Sequence, residues 1–260
     1  MTATVAPAGH PGAPAPGAPA PESVRALLRR LSSAQKGAAG APAWSRFVNR
    51  PVGRLFAALA FRAGLTPNAV TGLSAVCTFT GIALLATLRP TWALGLVVAA
   101  CLLVGYALDS ADGQLARLRG GGSPAGEWLD HVVDAAKAVT VHLAVLITLF
   151  RFAPVDTGWL LLPLGYAVVD VVHLFATLLN EQLRRNHGRR ERAAATGERA
   201  PVLRSLLVLP TDYGLLALLF VLLGAPVAFL AAYTLMFLGT TGYLALALGR
   251  WFREMDGLTA

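Results

Sequence analysis

The chain has 260 residues, of which 55% are apolar and only 14% are charged, and its formal net charge is +8. Ordinary soluble domains carry about 25% charged residues, so the composition argues against a soluble globular protein and predicts an integral membrane protein. A net positive charge is typical of membrane proteins whose cytoplasmic loops face anionic lipid headgroups. Because no soluble module carries the basic residues, nucleic acid is not expected as a partner.

The first 42 residues are predicted to form a disordered, cytoplasmic, Pro/Ala-rich tail. The run APAGHPGAPAPGAPAPE in this tail contains no residue that could build a core. A different pattern follows at residues 44–62, WSRFVNRPVGRLFAALAFR, where aromatic or aliphatic residues alternate with arginines at helical spacing. This pattern predicts an N-terminal amphipathic helix at the membrane interface, interrupted or restarted at Pro51.

Six apolar segments follow, each near the roughly 20 residues that a helix needs to cross the hydrocarbon core. They cover residues 66–88, 91–112, 127–150, 158–182, 203–223 and 226–249. Breakers such as Pro90, the GGGSPAG stretch and Pro226 separate them. The sequence therefore predicts an all-α integral membrane domain over residues 43–253 with six transmembrane helices, and a short tail at residues 254–260.

The positions of lysine and arginine predict the orientation in the cell membrane. Eight precede the first span, one follows it, two follow the second, one follows the third, seven follow the fourth, none follows the fifth and two follow the sixth. Positively charged loops stay in the cytoplasm. The alternation therefore places both termini, and the connection after the second span, on the cytoplasmic side.

Four of the 14 acidic residues lie at that cytoplasmic connection: Asp109, Asp112, Asp130 and Asp134. The first two are three residues apart and the last two are four apart, so each pair shares a helix face. The short Gly-rich connection makes the two helices antiparallel neighbours, and the carboxylates converge and repel one another. Carboxylate oxygens suit Mg²⁺ or Mn²⁺, often as a pair that also binds substrate phosphates. The spacing predicts two divalent cations, and solvated helix-end carboxylates are the alternative.

The residues between the aspartates suit a diphosphate ligand. Gly113 has no side chain and would let a nucleotide approach the backbone closely. Arg117 offers a planar guanidinium for phosphate oxygens. The GGGS sequence that ends at Ser123 can turn backbone N–H groups and a hydroxyl toward an anion. Each of these signals is weak alone, since a GGG turn is most often only a turn.

The stretch DSADGQLARLRGGGSPAGEWLDHVVD resembles the signature of the CDP-alcohol phosphotransferase (CDP-alcohol phosphatidyltransferase) family, D-x2-D-G-x2-A-R followed by G-x3-D-x3-D, at every signature position. Family members transfer a phosphatidyl or similar phospho-group from a CDP-linked lipid to an alcohol and release CMP. The resemblance implies that the four aspartates hold the metals and that Asp134 also deprotonates the attacking hydroxyl. It further implies that Gly113, Arg117 and Ser123 contact the CDP moiety.

The start of the first span, LTPNAVT, is also similar to the family. This similarity implies nucleotide contacts for four residues: Asn68, Ala69, Val70 and Thr71. An ordinary helix start with Pro67 in its first turn is a compatible interpretation. The implied partners are a CDP-diacylglycerol-type lipid, an alcohol acceptor and membrane lipids, and a second copy of the chain is a candidate partner in a homodimer.

The acceptor is open at this stage. The ARLRGGG sequence is similar to phosphatidylinositol-phosphate and phosphatidylglycerol-phosphate synthases, whereas GEWLDH is similar to choline and ethanolamine phosphotransferases. Arginines in the loop from residue 180 to residue 204 favour a polyol phosphate, although most of them are also explained as topology signals. A free amino alcohol is the alternative, and it would call for aromatic or acidic partners.

Other polar residues and other functions are also open. Asp170 and His173 on the fourth span lie near His142 on the third, and a structural Asp–His hydrogen bond is expected among them, with a role in the acceptor pocket as the alternative. Asp212 and Tyr213 are predicted to lie at the cytoplasmic level, where they are candidates for lining the same cavity. Two rival functions are a UbiA-type prenyltransferase, whose aspartate motifs should lie in separate halves of a longer bundle, and a cation-binding transporter, whose site should lie near the bilayer midplane.

Overall fold

The computed structural model describes residues 22–33, 42–187 and 208–257. These residues form eight α-helices and no strand. The helices are α1 (Val24–Ser33), α2 (Arg50–Arg62), α3 (Pro67–Thr87), α4 (Trp92–Leu118), α5 (Pro124–Phe152), α6 (Leu161–Asn186), α7 (Tyr213–Leu219) and α8 (Pro226–Asp256). The predicted all-α class is therefore confirmed for the described part of the chain.

Five helices are long and apolar enough to cross a membrane, namely α3, α4, α5, α6 with its preceding turn, and α8. They coincide with the first four predicted spans and the sixth. The fifth predicted span, residues 203–223, begins outside the described residues. Its described part begins at Val208 and contains the 3-10 turn Leu209–Thr211. The shorter apolar segment Tyr213–Gly224 follows, in which α7 is succeeded by the 3-10 turn Phe220–Gly224. Among the described residues, five helices are thus candidate spans by length and composition, and the sixth predicted span is not confirmed.

Helices α3 and α4 approach each other closely because small residues lie between them. A Cβ atom at Gly105 would overlap the Thr78 hydroxyl and would lie 3.1 Å from the carbonyl oxygen of Ser74. The Ser74 hydroxyl uses this proximity to donate a hydrogen bond to the Gly105 carbonyl oxygen (2.8 Å). The close approach brings polar side chains of α3 next to the aspartates of α4.

The segment Tyr213–Gly224 runs antiparallel to α4. At one end, the Tyr213 ring meets the edge of the Tyr106 ring, with centroids 5.2 Å apart. At the other end, Gly224 lies so close to Trp92 that a Cβ atom would overlap the indole ring. The segment therefore extends from the Tyr106 level of α4 to its first residue, which is the end of the bundle far from the aspartates.

Helix α1 lies within the stretch that the sequence predicts to be a disordered tail. Leu27 and Leu31 are 0% and 1% exposed, and α1 contacts α2 and α4. The Pro/Ala/Gly repeat ends just before this helix, and two leucines four residues apart provide a single apolar face. The rest of the predicted tail, apart from residues 22–33 and 42, lies outside the described residues.

The predicted amphipathic segment forms a continuous helix. A π-helical turn, Ser45–Asn49, leads directly into α2. Pro51 explains the irregular turn, because proline lacks an N–H group and its ring clashes with the carbonyl four residues before it. Gly53 packs against Ser110 and Gln114 of α4, while larger side chains such as Leu55 stay exposed. A helix is present as predicted, and its place at the membrane interface stays a prediction.

Candidate active site

A cavity of about 800 Å³ lies where α4 turns into α5, next to the start of α3 and the end of α6. Its wall combines acidic, basic and small residues from these four helices and the turn. They are Thr66, Pro67, Asn68, Thr71, Asp112, Gly113, Ala116, Arg117, Arg119, Gly121, Gly122, Ser123, Pro124, Gly126, Glu127, Asp130, His131, Glu181 and Arg185.

The turn between α4 and α5 depends on glycine. Gly120 and Gly121 have φ angles of 94° and 137°, which residues with a Cβ atom rarely adopt. Ser123 then caps α5, because its hydroxyl accepts a hydrogen bond from the Gly126 N–H (3.0 Å). The N-terminus of α5 and its cap thus line the cavity, and a helix N-terminus favours an anionic ligand.

Asp112 forms the buried acidic part of the cavity wall, with 6% of its surface exposed. The Thr71 hydroxyl donates a hydrogen bond to Asp112 Oδ2 (2.5 Å), which fixes the carboxylate of α4 against α3. Nearby, Asn68 meets α5 at Gly126, where a Cβ atom would lie 2.9 Å from Asn68 Oδ1. The missing side chain at Gly126 lets α3 and α5 meet at the cavity.

Helix α5 contributes a group of side chains able to hold a metal ion. One ligand atom from each of Asp130, His131 and Asp134 lies within 4.8 Å of the other two. The carboxylates of α4 are close to this group, since Asp109 and Asp130 each interact electrostatically with both Asp112 and Asp134. The four predicted aspartates therefore do converge, and carboxylate oxygens are the ligands that Mg²⁺ and Mn²⁺ prefer.

Lys137 also belongs to this cluster, although the sequence interpretation passed over it. Its ammonium forms ion pairs with Asp109 on α4 and with Asp134 on its own helix. A lysine inside an apolar span, three residues after an aspartate, was the signal that could have found it. His131 was also overlooked, because it lies within the aspartate motif and the motif itself does not include a histidine.

Residues 64–251 match the family model for CDP-alcohol phosphatidyltransferase. The chain belongs to this family. It is therefore an enzyme that transfers a phosphatidyl group from a CDP-linked lipid to an alcohol, and the prenyltransferase and transporter hypotheses are set aside. No curated protein matches the chain.

A solved structure is also similar to this CDP-alcohol phosphatidyltransferase. It is the crystal structure of phosphatidylinositol phosphate synthase from Mycobacterium tuberculosis in complex with manganese and citrate. The similarity covers 79% of this chain and 89% of that chain, with 22% sequence identity and a TM-score of 0.46.

Most residues that the family resemblance implicates lie at the cavity of this CDP-alcohol phosphatidyltransferase. Its wall includes Asn68, Thr71, Asp112, Gly113, Arg117, Ser123 and Asp130, and Asp109 and Asp134 lie beside it. Two implicated residues are not part of the wall. Val70 is 1% exposed and packs in a core cluster with Ala111 and Leu115. Ala69 is exposed, and its N–H donates to the capping hydroxyl of Thr66, a residue of the wall.

Arginines at the cavity are held by specific partners. Arg185 donates to Glu127 on α5 (2.7 Å) and to Glu181 on its own helix, so this cluster joins α5 to α6.

Arg117, on the α4 side of the cavity, lies within electrostatic range of Arg50. Burial lowers the pKa of the Arg50 guanidinium below its ordinary value, yet a guanidinium stays protonated in proteins. The charge of Arg50 therefore adds to the positive electrostatic potential around Arg117 in the cavity wall.

A second polar cluster lies deeper in the bundle, away from the cavity wall. His142 Nε2 is 2.9 Å from Asp170 Oδ2, and His142 Nδ1 is 2.6 Å from the Tyr233 hydroxyl. The expected Asp–His hydrogen bond therefore joins the carboxylate of Asp170 to His142 on another helix, while His173 stacks on Trp251. The cluster joins α5, α6 and α8.

Asp212 has a structural position. It is 1% exposed, caps α7 by accepting from the Gly214 N–H (3.1 Å), and also accepts from the Ser45 N–H (3.2 Å). The neighbouring Tyr213 packs on Tyr106. Neither Asp212 nor Tyr213 is part of the cavity wall.

Proposed function

We propose that the cavity binds the diphosphate of a CDP-diacylglycerol-type lipid beside a site for two Mg²⁺ or Mn²⁺ ions. The proposal rests on one observation: groups that suit cations and groups that suit phosphate oxygens line the same cavity. The carboxylates of Asp112 and Asp130, the guanidinium of Arg117 and the N-terminus of α5 at Ser123 all line it. Carboxylates suit the cations, while the arginine and the helix N-terminus suit the phosphate oxygens.

Asp109, Asp112, Asp130 and Asp134 would hold the cations. The donor set fits, because ligand atoms of Asp130, His131 and Asp134 already lie together and the other two carboxylates are within electrostatic range. When bound, divalent cations supply charge neutralisation for the diphosphate and for the departing CMP.

The reaction is a displacement at the phosphorus next to the lipid. The acceptor oxygen forms a bond to this phosphorus, and the bond between the phosphorus and the CMP oxygen breaks, so CMP leaves with the electron pair. We assign Asp134 as the base that takes the proton from the acceptor hydroxyl. The ion pair with Lys137 (3.2 Å) supports this role, because it holds the carboxylate in one orientation at the edge of the metal site.

A polyol phosphate, such as glycerol 3-phosphate or an inositol phosphate, is the proposed acceptor. Arg185 on α6 lines the cavity. Its guanidinium has five N–H donors, so it can hold a phosphate through two hydrogen bonds beside those to Glu127 and Glu181. A free amino alcohol is the alternative, and its aromatic partners would be those around His173, which contacts Trp251 and Tyr243. That aromatic group is not part of the cavity wall, and the acidic Glu127 and Glu181 of the wall pair with Arg185. The phosphorylated acceptor is therefore preferred.

An acceptor panel tests this assignment. Purified protein with Mn²⁺ and CDP-diacylglycerol is incubated with glycerol 3-phosphate, an inositol phosphate, glycerol, inositol, ethanolamine or choline. CMP release and lipid products are measured. We expect product only with phosphorylated polyols, and we expect Arg185→Gln to raise the KM for that acceptor by about tenfold or more.

Arg184→Gln is the matched control for the panel, because Arg184 pairs with Glu254 (2.7 Å) and does not line the cavity. Conversion of only the unphosphorylated alcohols would show that the acceptor is not a polyol phosphate. CMP release without any preference among alcohols would contradict the role of Arg185.

We further propose six membrane crossings with both termini and the active site in the cytoplasm. Helix α6 ends near the cavity, where Arg184 pairs with Glu254 at the end of α8. Helix α8 begins at the opposite end of the bundle, since Gly224 packs against Trp92. The chain between these helices must pass from one end to the other, and the apolar segment Tyr213–Gly224 runs in that direction.

Topology reporters test the six-crossing arrangement. Fusions at Gly188 and at Ala260 are expected to report from the cytoplasm, and a fusion at Asp156 from the other side, because the arginine-rich connections stay inside. Reporter activity and accessibility to a membrane-impermeant label provide the measurement. A Gly188 fusion on the outer side would rule out this topology.

A further inference from the structure

A buried ammonium lies between the carboxylates of two helices. Lys137 is 6% exposed. Its Nζ atom is 2.5 Å from Asp109 Oδ1, 3.2 Å from Asp134 Oδ1 and 3.4 Å from Ser74 Oγ. An ammonium has three N–H donors and no acceptor, so these three oxygens can occupy all its donors. The oxygens come from α3, α4 and α5, and one side chain therefore joins three helices at the level of the metal site.

The direction of each hydrogen bond agrees with this arrangement. Ser74 is fully buried and uses its proton toward the Gly105 carbonyl oxygen (2.8 Å), which leaves its oxygen to accept from the ammonium. A buried charge is strongly unfavourable unless it is paired and hydrogen-bonded. The two aspartates are stabilised by the ammonium in turn, because ionised carboxylates at this depth repel each other unless a cation lies between them.

We infer that Lys137 is a positioning residue that acts as an internal counter-ion for Asp109 and Asp134, in place before divalent cations bind. The inference rests on the proposed metal site. The ammonium contacts Oδ1 of each carboxylate, and each carboxylate has a second oxygen with which it can bind a metal ion. The same positive charge opposes an incoming divalent cation. Lys137 therefore stabilises the metal-free protein and lowers its affinity for metal.

The test compares wild type with Lys137→Met, which keeps the chain length but removes the charge, and Lys137→Arg, which keeps the charge. The full chain in detergent is stripped with a chelator, and thermal unfolding is followed with and without Mn²⁺. Binding of Mn²⁺ alone is titrated by the electron paramagnetic resonance signal of the free ion.

Lys137→Met is expected to lower the unfolding temperature of the metal-free protein, and saturating Mn²⁺ is expected to restore most of that loss. By linkage, the dissociation constant for Mn²⁺ should then fall, by about tenfold for the loss of one nearby positive charge. Lys137→Arg should stay close to wild type in both measurements. An equal loss of stability with and without Mn²⁺, together with unchanged Mn²⁺ affinity, would show a purely structural role and overturn the inference.

Two further outcomes separate this inference from the proposed function and from simple misfolding. Wild-type protein that binds no Mn²⁺ would contradict the proposed metal site itself. If Lys137→Met yields no folded protein, the double variant Lys137→Met with Asp109→Asn removes both charges and should recover folding. A double variant no more stable than Lys137→Met would show that the charge of Asp109 is not what Lys137 balances.

Discussion

Asp134→Asn is expected to lower the turnover number by about 10²–10⁴-fold, the usual effect of losing a general base, while the KM for CDP-lipid changes far less. An amide cannot take a proton from the acceptor hydroxyl at neutral pH. It does keep an oxygen that can accept from Lys137, which now contacts Asp134 Oδ1 (3.2 Å), so the helix contact should survive. The variant should therefore fold, bind donor lipid and fail in the chemical step.

Initial rates of CMP release at several CDP-lipid concentrations measure both constants. Asp156→Asn is the matched control, because Asp156 precedes the turn Thr157–Leu160 at the far end of the bundle and should leave both constants unchanged. Turnover near the wild-type value in Asp134→Asn would remove Asp134 from the catalytic assignment. A rise in the KM for CDP-lipid that matches the fall in turnover would make it a metal ligand without a role as base.

The spanning helices could be predicted from sequence because a membrane imposes a simple rule, about 20 apolar residues for each helical crossing. The segment Tyr213–Gly224 does not follow that rule within the described residues. Its start is fixed by the Asp212 cap and its end by the contact of Gly224 with Trp92. These are contacts between distant parts of the chain, and hydropathy does not report them. Helix α1 was missed because the Pro/Ala/Gly composition before it outweighed its two buried leucines.

The site shows the same division between local and long-range information. Spacing along one helix places Asp109 near Asp112 and Asp130 near Asp134, and the family motif adds their role. Contacts between helices could be identified only from the structure. A structural Asp–His hydrogen bond was expected, and only the structure identifies His142, on another helix, as the partner of Asp170 (2.9 Å). Val70 was assigned to the nucleotide with its neighbours, yet the helical turn points it into the core.

A hydrogen bond between α3 and α4 joins Thr71 to Asp112. Thr71 comes one residue after Val70, about 100° further round the helix, and donates its hydroxyl proton to Asp112 Oδ2 (2.5 Å). Both side chains line the cavity. Thr71 therefore orients a proposed metal ligand, the part that outer-shell partners play in metal sites, where their loss costs about 10–100-fold in metal affinity or activity.

Asp112→Asn is accordingly expected to weaken Mn²⁺ and CDP-lipid binding together, by more than the roughly 10–100-fold expected for Thr71→Val. The two affinities should fall in parallel because the carboxylate shares the cavity wall with Arg117 and Gly113, so that in the proposed arrangement the metal and the diphosphate occupy one site. Titration of Mn²⁺ into chelator-stripped protein, with and without a CDP-lipid, measures both affinities.

Two control variants make the comparison decisive. Thr71→Ser keeps the hydroxyl and should retain wild-type affinity. Thr78→Val removes a buried hydroxyl from the same helix, one for which the described residues provide no hydrogen-bond partner, and it should not change Mn²⁺ binding. If Thr71→Val binds Mn²⁺ as well as Thr78→Val does, the Thr71 hydroxyl does not orient a metal ligand. If Asp112→Asn loses affinity for the nucleotide lipid alone, Asp112 contacts the donor directly and the cations are held by the carboxylates of α5.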